Sequence, residues 1–297
     1  MYFPVGSHQL RHSTTLLREL RGLRSRALVY LTPRTTALQV YRDLTFFLAA
    51  GVRKFIGVPL TAALRQCRVD AGTGELEYEC ERLARTLHPA IPVDLSAPNW
   101  DFRLSAAERA LADKSLNGLA RWRPMLAVAP GAKIAAKNWG ERRWVELLKS
   151  LQQRTPIVAL VFVGALDDWP LCERLSQLWP GPSVNLCGEL TPRESAAVLG
   201  RCALLVCQDS GPMHLAASQG TPCVALFGTY NKPRQWFPFG SDHEVIYDPE
   251  GIEHIRVVTV INAVMAAVGR RDKGRGLWQP SLPLSPGRIA DDRARHL

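Results

Sequence analysis

Val206-Cys207-Gln208-Asp209-Ser210-Gly211-Pro212-Met213-His214-Leu215-Ala216-Ala217 changes pattern in its middle. Upstream, Ala203-Leu204-Leu205-Val206-Cys207 is a short apolar run, the mark of a strand buried on both faces. Downstream, Pro212 suits a first helical position, and Leu215, Ala216 and Ala217 are good helix formers. Asp209 and Ser210 are natural helix caps, and Gly211 lets backbone N–H groups come close to a ligand. A strand end feeding an open helix N-terminus is an anion site, and in an open parallel sheet it lies on the ligand-binding edge. An ordinary capped strand-to-helix connection is the alternative on this stretch alone.

The neighbouring segments repeat the arrangement. Thr221-Pro222-Cys223-Val224-Ala225-Leu226-Phe227-Gly228 is a second buried strand ending in glycine, followed by Thr229-Tyr230-Asn231-Lys232-Pro233 and a Trp236-Phe237-Pro238 turn. Upstream, Ala127-Val128-Ala129-Pro130-Gly131-Ala132 is a strand ending in a tight turn, and Lys137-Asn138-Trp139 opens a helix. In order and spacing, P-G-A…K-x-W, D-S-G-x-x-H-L-A-A and G-T-P-x-V-A-L-F-G resemble the bacterial heptosyltransferases, glycosyltransferase family nine. The resemblance covers the C-terminal half motif by motif and the N-terminal third only in pattern.

That resemblance implies an α/β protein of GT-B type, with two Rossmann-like parallel-sheet domains. The implied activity moves heptose or a related sugar from a nucleotide-diphosphate donor to a cell-envelope saccharide such as the lipopolysaccharide core. It also implies donor-binding residues. Lys137, after the Gly131 turn, matches the lysine on the donor phosphates; Ala132 and Lys133 stand where the family often has Ser or Thr. The Ser210 and Gly211 amides hold the diphosphate, and His214 turns its imidazole toward it. Asp209 contacts the sugar; because a carboxylate beside a diphosphate is repelled, it is expected to bond hydroxyls or to orient a lysine. Asp168, with Asp167 as its rival, matches the acidic position on the donor ribose, and Leu190 lines the nucleobase. Asp167-Asp168 is not a D-x-D metal motif, so no metal and no cofactor is expected.

Length and composition fit this reading. At 297 residues the chain suits two domains of ~150 residues. Its longest apolar runs, Pro156–Ala165 and Phe46–Val52, fall short of the ~20 residues of a membrane span. Met1-Tyr2-Phe3-Pro4-Val5-Gly6 lacks the basic and apolar regions of a signal peptide. Seven cysteines without a C-x-x-C pair point to a reducing cytoplasm and no zinc. A net charge of +10 fits nucleic acid, an anionic membrane or a phosphorylated substrate. The resemblance selects an anionic glycolipid or saccharide acceptor, leaves room for peripheral contact with the inner face of the inner membrane, and excludes nucleic acid.

The periodicity predicts helices over His8–Arg26, Leu38–Ala50, Leu76–Leu87 and Ser105–Leu119, with strands Ala27–Leu31 and Lys54–Val58. Pro89–Pro98 reads as linker. After Pro124 the alternation is cleaner: strand Met125–Val128, helix Trp139–Gln153, strand Ile157–Val163, helix Leu171–Leu178, strand Ser183–Leu186 and helix Thr191–Leu199. The Ala203 strand, Pro212 helix, Cys223 strand and a helix over Val257–Val268 complete it. Strand–helix alternation means a parallel sheet covered on both faces. The expected units are 1–122 on the acceptor side, 123–268 for the donor, and a flexible basic tail over 269–297 with seven Lys and Arg against three Asp.

The first half opens differently. Family members begin with a strand and an R-x-G-x-x-G-D-like turn whose Asp is the expected catalytic base, and no such turn precedes His8. The first domain is therefore expected to be shortened at its N-terminus, and the catalytic residue stays unknown. Two rival readings follow: a catalytically impaired nucleotide-sugar-binding remnant, and a nucleotide-sugar epimerase of the same architecture.

Overall fold

Each apolar run that ends in a glycine or a polar residue becomes one strand of a parallel sheet. The computed structural model describes residues 10–88, 90–96, 102–154 and 159–275. Its first half holds α1 (Leu10–Gly22), β1 (Ala27–Val29), α2 (Ala37–Ala49), β2 (Lys54–Ile56), a one-turn α3 (Ala62–Arg65) and α4 (Glu79–Leu87). After α5 (Ala106–Ser115) come β3 (Met125–Ala129), α6 (Glu141–Gln152), β4 (Ala159–Phe162), α7 (Trp169–Ser176) and β5 (Ser183–Asn185). Then follow α8 (Pro192–Leu199), β6 (Leu204–Gln208), α9 (Gly211–Ser218), β7 (Cys223–Phe227), β8 (Glu244–Tyr247) and α10 (Val257–Arg275).

The six strands of the second half form one sheet in the order β5-β4-β3-β6-β7-β8, with every pairing parallel. This is the doubly wound order, in which the chain reverses direction across the sheet between β3 and β6. Period-two alternation assigns each side chain to a face. Leu126, Val128, Leu160, Phe162, Val206 and Leu226 point into a core shared with α6, α7 and α10. Met125, Ala127, Ala129, Val161, Leu205 and Cys207 point into the opposite core, shared with α8 and α9.

Three expectations change. The helix at Ser105 belongs to the second half: Leu104, Ala112, Leu116 and Leu119 are buried in the core under α8, so the expected boundary at residue 122 cuts through that core. The last helix runs past Gly269 to Arg275, so the first residues of the expected tail are helical. Val264 and Ala267 bury themselves against the sheet and carry the helix on. Residues 276–297 lie outside the described chain, as do residues 8 and 9, part of the expected linker at 89, 97 and 98, and residues 157 and 158 of the expected strand. Strand β8 has no counterpart in the sequence reading.

Smaller shifts have local causes. Helix α4 starts at Glu79 rather than Leu76, because Leu76 pairs with Val69 in an antiparallel bridge. Glu81 then accepts the Tyr78 N–H at 2.7 Å and fixes the helix start. Helix α6 starts at Glu141 because Gly140 takes φ 95°, and Trp139 instead buries its indole, donating to the Ile255 carbonyl at 2.9 Å. The first half contains a parallel pair, β1–β2, with α2 as its crossover. Among the described residues these two strands are its whole sheet.

Candidate functional site

The carboxyl ends of β3 and β6, where the sheet order reverses, open onto a cleft of about 570 Å³. Gly131, Lys137, Asp168, Leu190, Asp209, Ser210 and Gly211 all line it, so residues up to 80 positions apart in the chain meet in one concavity. His214 stands outside the lining, one turn along α9, within electrostatic reach of Asp209 and Lys137. Its own surface is open, yet the surrounding protein desolvates the ring. That desolvation and the neighbouring Lys137 and His243 charges hold its pKa below the usual histidine value, against the pull of Asp209.

Lys137 closes a 3₁₀ turn, Ala135–Lys137, and its ammonium lies 2.7 Å from Asp209 Oδ2. The pair is largely withdrawn from water, with side-chain exposures of 16% and 9%. The Tyr230 ring faces the same ammonium at 4.8 Å, and Asn231 Nδ2 donates to Asp209 Oδ2 at 2.5 Å. Of the two roles expected for Asp209, orienting a lysine is the one the geometry displays.

Gln208 makes this arrangement possible. Its side chain is fully buried, Oε1 accepts the Trp139 N–H at 2.7 Å, and Nε2 donates to the Pro130 carbonyl at 2.5 Å. One amide thus grips both ends of the loop that carries Lys137 and holds that loop over β6, next to Asp209.

The start of α9 is left open to the cleft. Ser210 is its N-cap with extended backbone, but Ser210 Oγ turns back to donate to the Gln208 carbonyl at 3.0 Å instead of capping. In α9 Pro212 has no N–H and the Met213 N–H bonds the Ser210 carbonyl at 3.2 Å, which leaves the Ser210 and Gly211 N–H groups at the positive end of the helix dipole. Beside Lys137 they form a site for an anion. Lys133 adds a second cation to the lining.

Asp168 forms the opposite wall. Its Oδ2 accepts the Ala165 N–H at 2.8 Å, and its carboxyl group fills the space that a side chain on Gly131 or Gly164 would need. Glycine at both strand ends is what lets the carboxylate lie there. Asp167 is exposed and is not part of the lining. Beyond Asp168, Val163, Leu190 and Pro192 supply an apolar wall. Among the described residues no group of three His, Cys, Asp or Glu side chains gathers as a metal site.

Sequence reasoning missed Gln208, Tyr230, Asn231 and Lys133. A polar residue at the end of an otherwise apolar strand was the available signal for Gln208.

Residues 50–257 match the sequence model of glycosyltransferase family 9 (heptosyltransferase), which is more than half of the chain. The chain belongs to glycosyltransferase family 9. It is 28% identical over 169 residues to lipooligosaccharide heptosyltransferase 2 of Haemophilus influenzae, covering 55% of this chain and 44% of that protein. The chain spans about half the length of the curated relatives it matches. The fold superposes on a glycosyltransferase family 9 structure from Veillonella parvula with a TM-score of 0.65 at 19% identity, covering 89% of this chain and 81% of that one. With Escherichia coli ADP-heptose lps heptosyltransferase II the TM-score is 0.61 at 20% identity, covering 89% and 82%. These neighbours bear out the α/β, GT-B-type architecture expected from the motifs.

Proposed function

We propose that this protein is a glycosyltransferase whose second half binds a nucleotide-diphosphate sugar in the cleft between β3 and β6. The sugar is heptose or a close relative, and the acceptor is a cell-envelope saccharide such as the lipopolysaccharide core. The observation that carries the reading is the convergence of Lys137, the open α9 start and the apolar Val163–Leu190–Pro192 wall on one concavity. Family membership and the names of its relatives give the sugar and the acceptor their class.

The chemistry follows from charge. Breaking the bond between sugar and diphosphate leaves growing negative charge on the leaving oxygens. The α9 amides and Lys137 stand ready to hold it with no reorganisation of solvent, which is where fixed dipoles stabilise a transition state most. The diphosphate and Asp209 compete for one ammonium, so donor binding redirects Lys137 while Asn231 keeps Asp209 partnered. Asp168 is placed to accept ribose hydroxyls, and the apolar wall to cover the base. Before donor binds, both described acids of the cleft have partners, Asp168 the Ala165 N–H and Asp209 the Lys137 and Asn231 side chains. An epimerase would need a free acid/base pair there. The proposal extends to place: a cytoplasmic protein meeting its glycolipid acceptor at the inner face of the membrane. Its net charge of +10 supports contact with an anionic acceptor.

ADP is the probe that tests the donor site. Lys137→Ala alone is a poor variant, because removing one partner of a buried pair strands the other charge at a cost of ~3–5 kcal/mol when burial is complete. The double variant Lys137→Ala with Asp209→Asn removes both charges. It should fold with a melting temperature near the original, yet lose ~1.5–3 kcal/mol of ADP binding, the worth of a hydrogen bond to a charged group. Titration calorimetry showing unchanged ADP affinity in the double variant would remove the pair from the site and refute the reading.

A further inference from the structure

Residues 228–243 join β7 to β8, and this connection grips two distant places. Its near end holds the cleft: the Tyr230 ring covers Lys137 Nζ, and Asn231 bonds the Asp209 oxygen that also receives Lys137. A few residues on, it holds α4. Arg234 adopts φ 69°, a left-handed backbone rare outside glycine, and lays its guanidinium 4.8 Å from the centre of the Tyr78 ring. The same guanidinium donates to Glu75 Oε2 at 3.0 Å. The Gln235 carbonyl accepts the Glu79 N–H at 2.9 Å, and Gln235 Nε2 donates to Glu79 Oε2 at 3.3 Å. Phe239 meets the edge of Tyr78 at 5.1 Å between ring centres.

The α4 end is a firm anchor. Glu79 is buried and paired with Arg82, which donates onward to the Leu64 carbonyl at 2.7 Å. From Asn231 to Gln235 the chain spans at most about 14 Å even fully extended, so a shift at one grip is felt at the other.

We propose that Tyr230 and Asn231 are positioning residues for the diphosphate-binding lysine, and that α4 sets their place through Arg234 and Gln235. The proposal rests on the donor-site reading above. It makes the first half a controlling partner of the donor site although none of its described residues lines the cleft. Coupling of this kind is reciprocal: if α4 influences ADP binding, ADP must influence α4 by the same factor.

The protein carries its own reporter of that influence. Cys67 Sγ donates to Glu79 Oε2 at 3.5 Å, the oxygen that Gln235 also uses, and Cys67 and Cys80 are half-buried while the other five thiols are buried. Burial and then the Glu79 charge push the Cys67 thiol up to about 12. Loosening Gln235 changes both conditions.

The experiment uses the full chain and three variants: Asn231→Ala at the near grip, and Arg234→Ala and Gln235→Ala at the far one. ADP affinity is measured by calorimetry, melting temperature by scanning, and Cys67 alkylation rate, with and without ADP, by peptide mass spectrometry. Asn231→Ala and the two distant variants should each weaken ADP binding about fivefold or more, the low end of typical coupling. In the unaltered chain ADP should change the Cys67 alkylation rate, and Gln235→Ala should abolish that response. Asn231→Ser, which keeps a donor, should recover part of the affinity. Glu75→Ala, which frees Arg234 from the opposite side, covers the case in which Arg234→Ala fails to fold. If ADP does not bind the unaltered protein, the donor-site reading falls and the proposal with it. If ADP binds, and folded distant variants bind it equally well with an unchanged Cys67 response, the proposal alone is overturned.

Discussion

Replacing Gln208 by Leu tests the idea that one buried amide places the phosphate-binding loop. Leucine fits a fully buried site of that size but offers neither donor nor acceptor. Two neutral hydrogen bonds disappear, at 2.7 Å to the Trp139 N–H and 2.5 Å to the Pro130 carbonyl. Trp139 and Pro130 are both buried, so water cannot replace the lost partner. A buried group left without a partner costs about 1–3 kcal/mol, so the two together should cost roughly 2–5 kcal/mol. At about 2–4 °C per kcal/mol for a unit of this size, the melting temperature should fall by ~4–20 °C. Binding should suffer separately, because the loop from Pro130 to Trp139 carries Lys137 and its grip on β6 is gone. The assay pairs differential scanning with ADP calorimetry at a temperature where the variant remains folded. A conservative Gln208→Asn variant, one methylene shorter, should lie between the two. If Gln208→Leu melts within a degree or so of the original and binds ADP as well, the loop is held by something else and the argument fails.

Three further outcomes are expected. Gly131→Ala and Gly164→Ala each push a methyl group into the Asp168 carboxyl, so both should lower the melting temperature, and Asp168→Ala in the same background should recover it by removing the conflict; differential scanning of the single and double variants checks this. His214, whose pKa is depressed in the fold, takes up its proton at lower pH there than in the unfolded chain, so its contribution is intact above the unfolded pKa and is lost as pH falls below about 6.5. His214→Asn should therefore lessen the drop in melting temperature between roughly pH 7.5 and 5.5, and an unchanged drop would show that the ring does not sense its surroundings. Ending the chain after Arg275 should leave the melting temperature in place, because the packed residues of α10 all precede it; a fall of many degrees would assign residues 276–297 a docking role.

The division between what the sequence showed and what it concealed follows the range of the interactions. The strand ends, the α9 start and the glycine turns are local, encoded within a few residues by apolar runs, Pro212, Gly131 and Gly164; the family resemblance named Lys137, Asp168, Leu190, Asp209, Ser210 and Gly211, and these line one cleft. The helix at Ser105 was legible as a helix but not as to which core it joins, since Ala112 and Leu119 are equally apolar against either half and only contact with α8 decides. Strand β8, Glu244–Tyr247, is half-buried along its length at the sheet edge, so its pattern lacks the continuous apolar run that identified the inner strands. Gln208 and Asn231 escaped for another reason. Their partners lie far away in sequence, 69 residues in the case of Gln208 and Trp139, and a lone polar residue carries no sign of which distant group it will meet. Yet those two side chains decide what the motif residues do: without Gln208 the lysine loop has no fixed height above β6, and without Asn231 the Asp209 carboxylate has no partner left when a diphosphate claims Lys137. The motif names the groups that touch a ligand, and the long-range polar contacts set the state in which the ligand finds them.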